Sequence, residues 1–115
     1  MEEKRKKFVK TSDELKEQLV ESMGYCLATD RILVDGLQVG YMYRENPDDE
    51  SDSGWRFFSG DEEDDYLDNP DNIGVYELNT IAHYDNDVIP HLQADYNSSF
   101  VRNEENQFEE EPFNE

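Results

Sequence analysis

Positive charge is scarce in this sequence: 10 Lys and Arg stand against 30 Asp and Glu, for a net charge of −20. A nucleic-acid binder needs cationic side chains to neutralise phosphates, so that class is excluded. Anionic membrane surfaces are disfavoured for the same reason. Cysteine is nearly absent. Cys26 stands alone, so no internal disulfide is expected, and a reducing, cytoplasmic setting fits. No apolar run approaches the ~18 residues of a membrane span. The opening Met-Glu-Glu-Lys-Arg-Lys-Lys-Phe-Val-Lys is charged with no apolar segment behind it, unlike a secretory signal. Phosphate-cradling glycine loops, G-x-S-x-G and H-E-x-x-H are all missing. No internal repeat is present.

What remains is enough for one folded unit. A chain of 115 residues has room for a single domain. Apolar content is 35% and mean hydropathy is −1.02, but aromatics reach 12%, which is generous for a disordered chain. Acidic stretches depress the averages. Residues 45–72 hold 12 acids against Arg56 alone, so more than half of the excess charge sits in one internal segment. Residues 1–10 carry five bases and two acids and read as a flexible basic arm, residues 11–102 as a single α+β domain, and residues 103–115, acidic and without periodicity, as a disordered tail.

Within the domain, Thr11 and Glu14 have the spacing of a capping box. Leu15, Leu19, Val20 and Met23 follow on one helical face and Gly24 can close the helix. Residues 25–29 read as a strand. Ile32 to Val34 and Leu37 to Arg44 flank Asp35-Gly36, the strongest local signal for a hairpin. In the second arm Leu37, Val39, Tyr41 and Tyr43 alternate with Gln38, Gly40, Met42 and Arg44, so one face points inward. Residues 45–54 form an acidic loop, 55–59 an aromatic strand, and 61–72 a second acidic loop with one helical turn near Tyr66-Leu67. Ile73 to Leu78 is a strand. Asn79 and Asp87 are candidate caps of two short helices. Ser99 to Arg102 is a last strand. The fold expected is a small mixed or mainly antiparallel sheet, with an N-terminal helix and short C-terminal helices packed on one side.

Chemistry is harder to place. The run Asp61-Glu62-Glu63-Asp64-Asp65 suggests calcium, yet no register puts Gly at the sixth position of an EF-hand loop: from Asp61 that position is Tyr66, and from Asp64 it is Asn69. No acid–base pair can be singled out among 30 carboxylates. Cys26 with His83 or His91 would make a nucleophile and base, but an inert buried thiol fits its apolar strand better. No catalytic residue, metal ligand or cofactor is assigned, and an enzyme is not expected. The segment Gly54-Trp55-Arg56-Phe57-Phe58-Ser59-Gly60 is more unusual. Trp and Arg are frequent binding anchors, and acidic loops on both sides would attract a basic partner. Asp48, Asp49, Asp52, Trp55, Arg56, Asp61, Glu62, Glu63, Asp64 and Asp65 are therefore the candidate partner-binding residues. Large aromatics are usually buried, so Trp55 and Phe57 also fit a core, and the acidic flanks are the part expected to touch a partner.

The same residues carry a family resemblance. Asp30-Arg31-Ile32, Val34-Asp35-Gly36, Val39 to Glu45, Asp52 to Glu62, Asp68 to Asn72 and Leu78 to Ile81 resemble the bacterial family first catalogued as domain of unknown function 2185, also called immunity protein 33. The resemblance covers about residues 25–102, and the Ser-Gly-Trp-Arg-Phe-Phe-Ser-Gly-Asp-Glu string is its most specific part. It implies a bacterial immunity protein that binds and neutralises a cognate polymorphic toxin, and it brings no catalytic residues with it. A basic partner such as a nuclease-type toxin matches the charge. The alternatives are a regulatory or scaffold module for another protein and an acidic calcium-binding domain.

Overall fold

The computed structural model describes residues 8, 10, 15–47 and 49–111. Strands β1 (Tyr25–Thr29), β2 (Tyr41–Arg44), β3 (Asp52–Phe58), β4 (Ile73–Glu77), β5 (Ser98–Arg102) and β6 (Phe108–Glu111) form one sheet in the order β4-β1-β3-β2-β5-β6. The pair β1–β3 is parallel and the other neighbouring pairs are antiparallel. Helices α1 (Asp30–Leu33), α2 (Asp64–Leu67) and α3 (Leu78–Tyr84) are short, with 3-10 turns at Pro70–Asn72 and Asn86–His91. The class is α+β with a mixed, mainly antiparallel sheet.

One face of the sheet carries the core. Cys26 and Ala28 of β1, Met42 of β2, Trp55 and Phe57 of β3 and Phe100 of β5 pack against Ile32 and Leu33 of α1, Leu78 and Ile81 of α3, and Val88 and Leu92. Each such aliphatic or aromatic side chain contributes about 1.5–3 kcal/mol by leaving water. Helices α1 and α3 and the Asn86–His91 turn therefore lie on one side. Helix α2 buries no residue.

Strand β3 is irregular where it meets β1. Two steps along β1, Tyr25 to Leu27, match four along β3, Asp52 to Arg56. Gly54 occupies the extra length at φ +91°, and a Cβ there would stand 2.3 Å from the Glu45 carbonyl oxygen. Only glycine fits that position.

Several local expectations are corrected. The capping box at Thr11 and Glu14 lies outside the described residues, but residues 15–24, which carry the apolar pattern of the expected N-terminal helix, form no α-helix. Side chains of α3 take over their backbone bonding. Asn79 Oδ1 accepts from the backbone N–H of Leu19 (2.6 Å) and Val20 (3.2 Å), and Asn79 Nδ2 donates to the Glu17 carbonyl (3.0 Å). His83 Nε2 lies 2.6 Å from that same carbonyl. Asn79 is thus a clamp inside α3 and not its cap.

The Asp35-Gly36 hairpin does not form either. Ile32 and Leu33 are both fully buried. Adjacent residues of a strand cannot face one core, whereas a helical turn can present both. The Asp30 carbonyl accordingly accepts from Val34 and Asp35 (2.8 and 3.0 Å) and closes α1. Gly36 keeps a positive φ of 77° as the chain leaves it. The cap of the Asn86–His91 turn is Asp85, whose side chain accepts from Asp87 N–H. Residues 103–115, expected to lack structure, include β6. Its Phe108 meets His91 edge-on at 5.4 Å and lies under the Arg102 guanidinium at 4.4 Å. That packing outweighs the repulsion of three consecutive glutamates.

Candidate functional site: the uncovered face of the sheet

Residues paired across strands share a face. One such row runs Val75–Leu27–Arg56–Tyr43–Ser99–Glu111 across all six strands. A second contains Phe58–Tyr41–Val101–Glu109. Both rows lie opposite the buried Cys26, Met42, Trp55 and Phe57, away from α1 and α3, and α2 reaches this side only with Leu67, beside Tyr41 and Phe58. Tyr41, Tyr43 and Phe58 form a triangle with centroids 5.8 Å apart, and the Tyr43 and Phe58 rings are nearly parallel at 12°. Two shallow grooves flank Phe58. One, of about 150 Å³, runs over Leu27, Tyr43, Arg56 and Ile73. The other, of about 330 Å³, runs over Tyr41, Val101, Leu67 and Glu62. Val75 is 63% exposed at the β4 edge. Burial pushes the Tyr41 and Tyr43 phenols up, reinforced by Glu111 and Glu45 respectively, so both remain neutral donors at neutral pH.

Of the expected partner-binding residues, the structure brings Asp52 and Arg56 to this face and binds them to each other. Arg56 forms a fork with Asp52 (2.6 and 2.9 Å) and a third contact with Glu45 (2.7 Å). Its hydrogen bonds hold the Asp52 carboxyl below the usual carboxylate range, and Asp52 in turn pushes the guanidinium further up. Arg56 is 8% exposed and fully satisfied, which makes it a poor anchor for a partner.

Trp55 points the other way. It is completely buried, stacks on Phe57 at 5.9 Å and donates from Nε1 to the Leu92 carbonyl (3.0 Å). It offers no surface to a partner.

The second acidic loop sits at one end of the face. Glu62 is its internal anchor. Its carboxylate accepts from the Thr29 hydroxyl (2.5 Å) and from Ser59 and Gly60 N–H (2.8 and 2.9 Å). Burial raises the Glu62 pKa, but these bonds outweigh it and hold the group below its ordinary value. Asp61 accepts from the Ser59 hydroxyl and lies 3.6 Å from Arg31. Glu63, Asp64 and Asp65 are exposed, and no ion pair ties them to another described residue. Asp49 is exposed and holds its own turn by accepting from Ser51 N–H. Asp48 lies outside the described residues.

The other described arginines are spent elsewhere. Arg31 serves Asp35 and Asp61, and Arg102 serves Asp85 and Asp87. Arg44 donates to the Ser53 and Ala94 carbonyls and stacks on Tyr96 at 4.4 Å. Cys26 is fully buried, and burial pushes its thiol up, so it is held neutral and unreactive. Among the described residues, no group of three or more His, Cys, Asp or Glu is placed to hold a metal ion, and no helix is long and apolar enough to cross a membrane.

The sequence reading missed Tyr41, Tyr43, Phe58, Leu27 and Val101 as a surface. The usable signal was the alternation of β2 and β3. Met42, Trp55 and Phe57 occupy one parity and Tyr41, Tyr43 and Phe58 the other, so these strands are apolar on both faces.

Fold and face together define a small α+β domain whose sheet is covered on one side only. The model of the Immunity protein Imm33 domain matches residues 26–111, and the chain belongs to that family. The match takes in β6 as well as the strands before it. No match is found among curated proteins, and none among solved structures.

Proposed function

We propose that this chain is a cytoplasmic immunity protein that binds and neutralises a cognate toxin through an acidic surface, without catalysis of its own. Membership of the immunity family carries the reading. The charge supports its electrostatic part. Arg31, Arg56 and Arg102 are each taken up by two internal carboxylates, while Asp49, Glu63, Asp64 and Asp65 face solvent. A toxin with a basic cleft, as a nuclease needs for its phosphates, would be steered toward such a surface. A single, buried cysteine fits a reducing compartment.

Titration calorimetry against the product of the adjacent gene tests the reading. The expected result is a 1:1 complex whose affinity falls steeply as salt rises, and which loses toxin activity on binding. Absence of any complex, or an affinity indifferent to salt, refutes it.

A further inference from the structure

We infer that the uncovered sheet face around Tyr41, Tyr43 and Phe58 is the docking surface, and that its occupant is a protein surface with an apolar centre and a basic surround. This rests on the immunity reading for the partner's existence, but the location is argued from the face itself.

Three observations favour this occupant. The centre of the face is aromatic and apolar, grooved on both sides of Phe58, and Val75 extends it to the edge at 63% exposure. The surround is anionic: Glu109 and Glu111 end the two rows on β6, Glu77 of β4 pairs with Tyr25 of β1, and Glu45 and Glu62 line the grooves. The single arginine in these rows, Arg56, is neutralised by Asp52 and Glu45. A second copy of this chain is a poor occupant, because two molecules of net charge −20 would bring their glutamates together.

Size adds a constraint. Six strands spaced ~4.8 Å apart, each about five residues long, span roughly 400 Å². A stable complex buries ~800 Å² per partner. The face is therefore the centre of the footprint, and the described loop residues at its ends, 45–47, 49–51 and 61–72, supply the rim. Hot spots concentrate at such centres, whereas rim charges chiefly govern the association rate.

The test uses the full chain and the product of the adjacent gene as probe. Val75→Lys and the pair Glu109→Lys with Glu111→Lys change exposed side chains on this face. Each is expected to weaken binding at least tenfold. Controls away from this face match the charge changes: Asp95→Asn for Val75→Lys, and Asp95→Lys with Glu110→Lys, whose strand position pairs with the core residue Phe100, for the glutamate pair; each should cost under threefold. Because a face variant can misfold, the wild-type chain is also titrated by NMR, where the ring signals of Tyr41, Tyr43 and Phe58 should shift or broaden on complex formation. Unperturbed ring signals, or full affinity in the face variants alongside loss on neutralising Asp61, Glu63, Asp64 and Asp65, overturn the docking face and leave the immunity reading standing. A wild-type chain that does not bind the probe overturns both.

Discussion

Arg56 illustrates how a side chain that looks like a binding anchor becomes a structural one. It sits on a sheet face between two carboxylates, and Asp52 is only 8% exposed. Removing the guanidinium would leave Asp52 buried without its counter-charge, so Arg56→Met is expected to lower unfolding stability by about 3–5 kcal/mol, measurable by urea denaturation at neutral pH. The same pair sets a pH response. The folded Asp52 pKa lies below its unfolded value of ~3.9, so its stabilisation is complete above that value and is lost as pH falls through the lower folded one. Between pH 5 and 2, wild type should lose more stability than Asp52→Asn. Equal slopes would show that the pair contributes nothing. Trp55 belongs at this scale too. A tryptophan in an alternating strand with aromatics on both parities carries no local sign of which face it joins. Only the helices on one side of the sheet decide it.

At the scale of elements, the least expected piece is the non-helical run before β1. Its apolar spacing suits a helix, yet Asn79 clamps Leu19 and Val20 to α3 from 60 and 59 residues away. Isolated short helices are marginal in water, so a clamp worth ~1 kcal/mol per hydrogen bond can displace one. Asn79→Ala should therefore speed amide exchange at Leu19 and Val20 by at least tenfold and lower global stability by about 1–3 kcal/mol. Unchanged exchange at both amides would disprove the clamp. Other elements were legible in order: strands near 25–29, 55–59, 73–78 and 99–102, and a helical turn at Tyr66-Leu67, all have counterparts in β1, β3, β4, β5 and α2. Their signals are local, residing in alternation and turn residues. The hairpin and the unstructured tail failed for the opposite reason. Asp35-Gly36 would have served a hairpin had Ile32 and Leu33 not both been drawn into the core, and β6 exists only because β5 offers it an edge.

At the scale of the molecule, charge is the dominant feature. The radius of gyration is 13.9 Å. At 0.01 M salt the screening length of ~30 Å exceeds it, so carboxylates across the whole domain repel one another, whereas at 0.1 M it shrinks to ~10 Å and only neighbours do. Melting temperature should rise by several degrees over that range, the reverse of a fold held by surface ion pairs. A flat or falling melting temperature would mean that the internal pairs of Arg31, Arg56 and Arg102 outweigh the repulsion. The same field acts on partners: salt that stabilises the free protein should weaken its complex.

The α+β class, the acidic character, the unreactive single cysteine and the family likeness all follow from residue types and short-range spacing, and the sequence by itself determined them. The tertiary structure alone decided which aromatics are core and which are surface, which arginines are spent on internal carboxylates, and which stretch before β1 gives up its helix. These outcomes depend on residues separated by tens of positions. Strand order and register bring them together, and no local pattern encodes either.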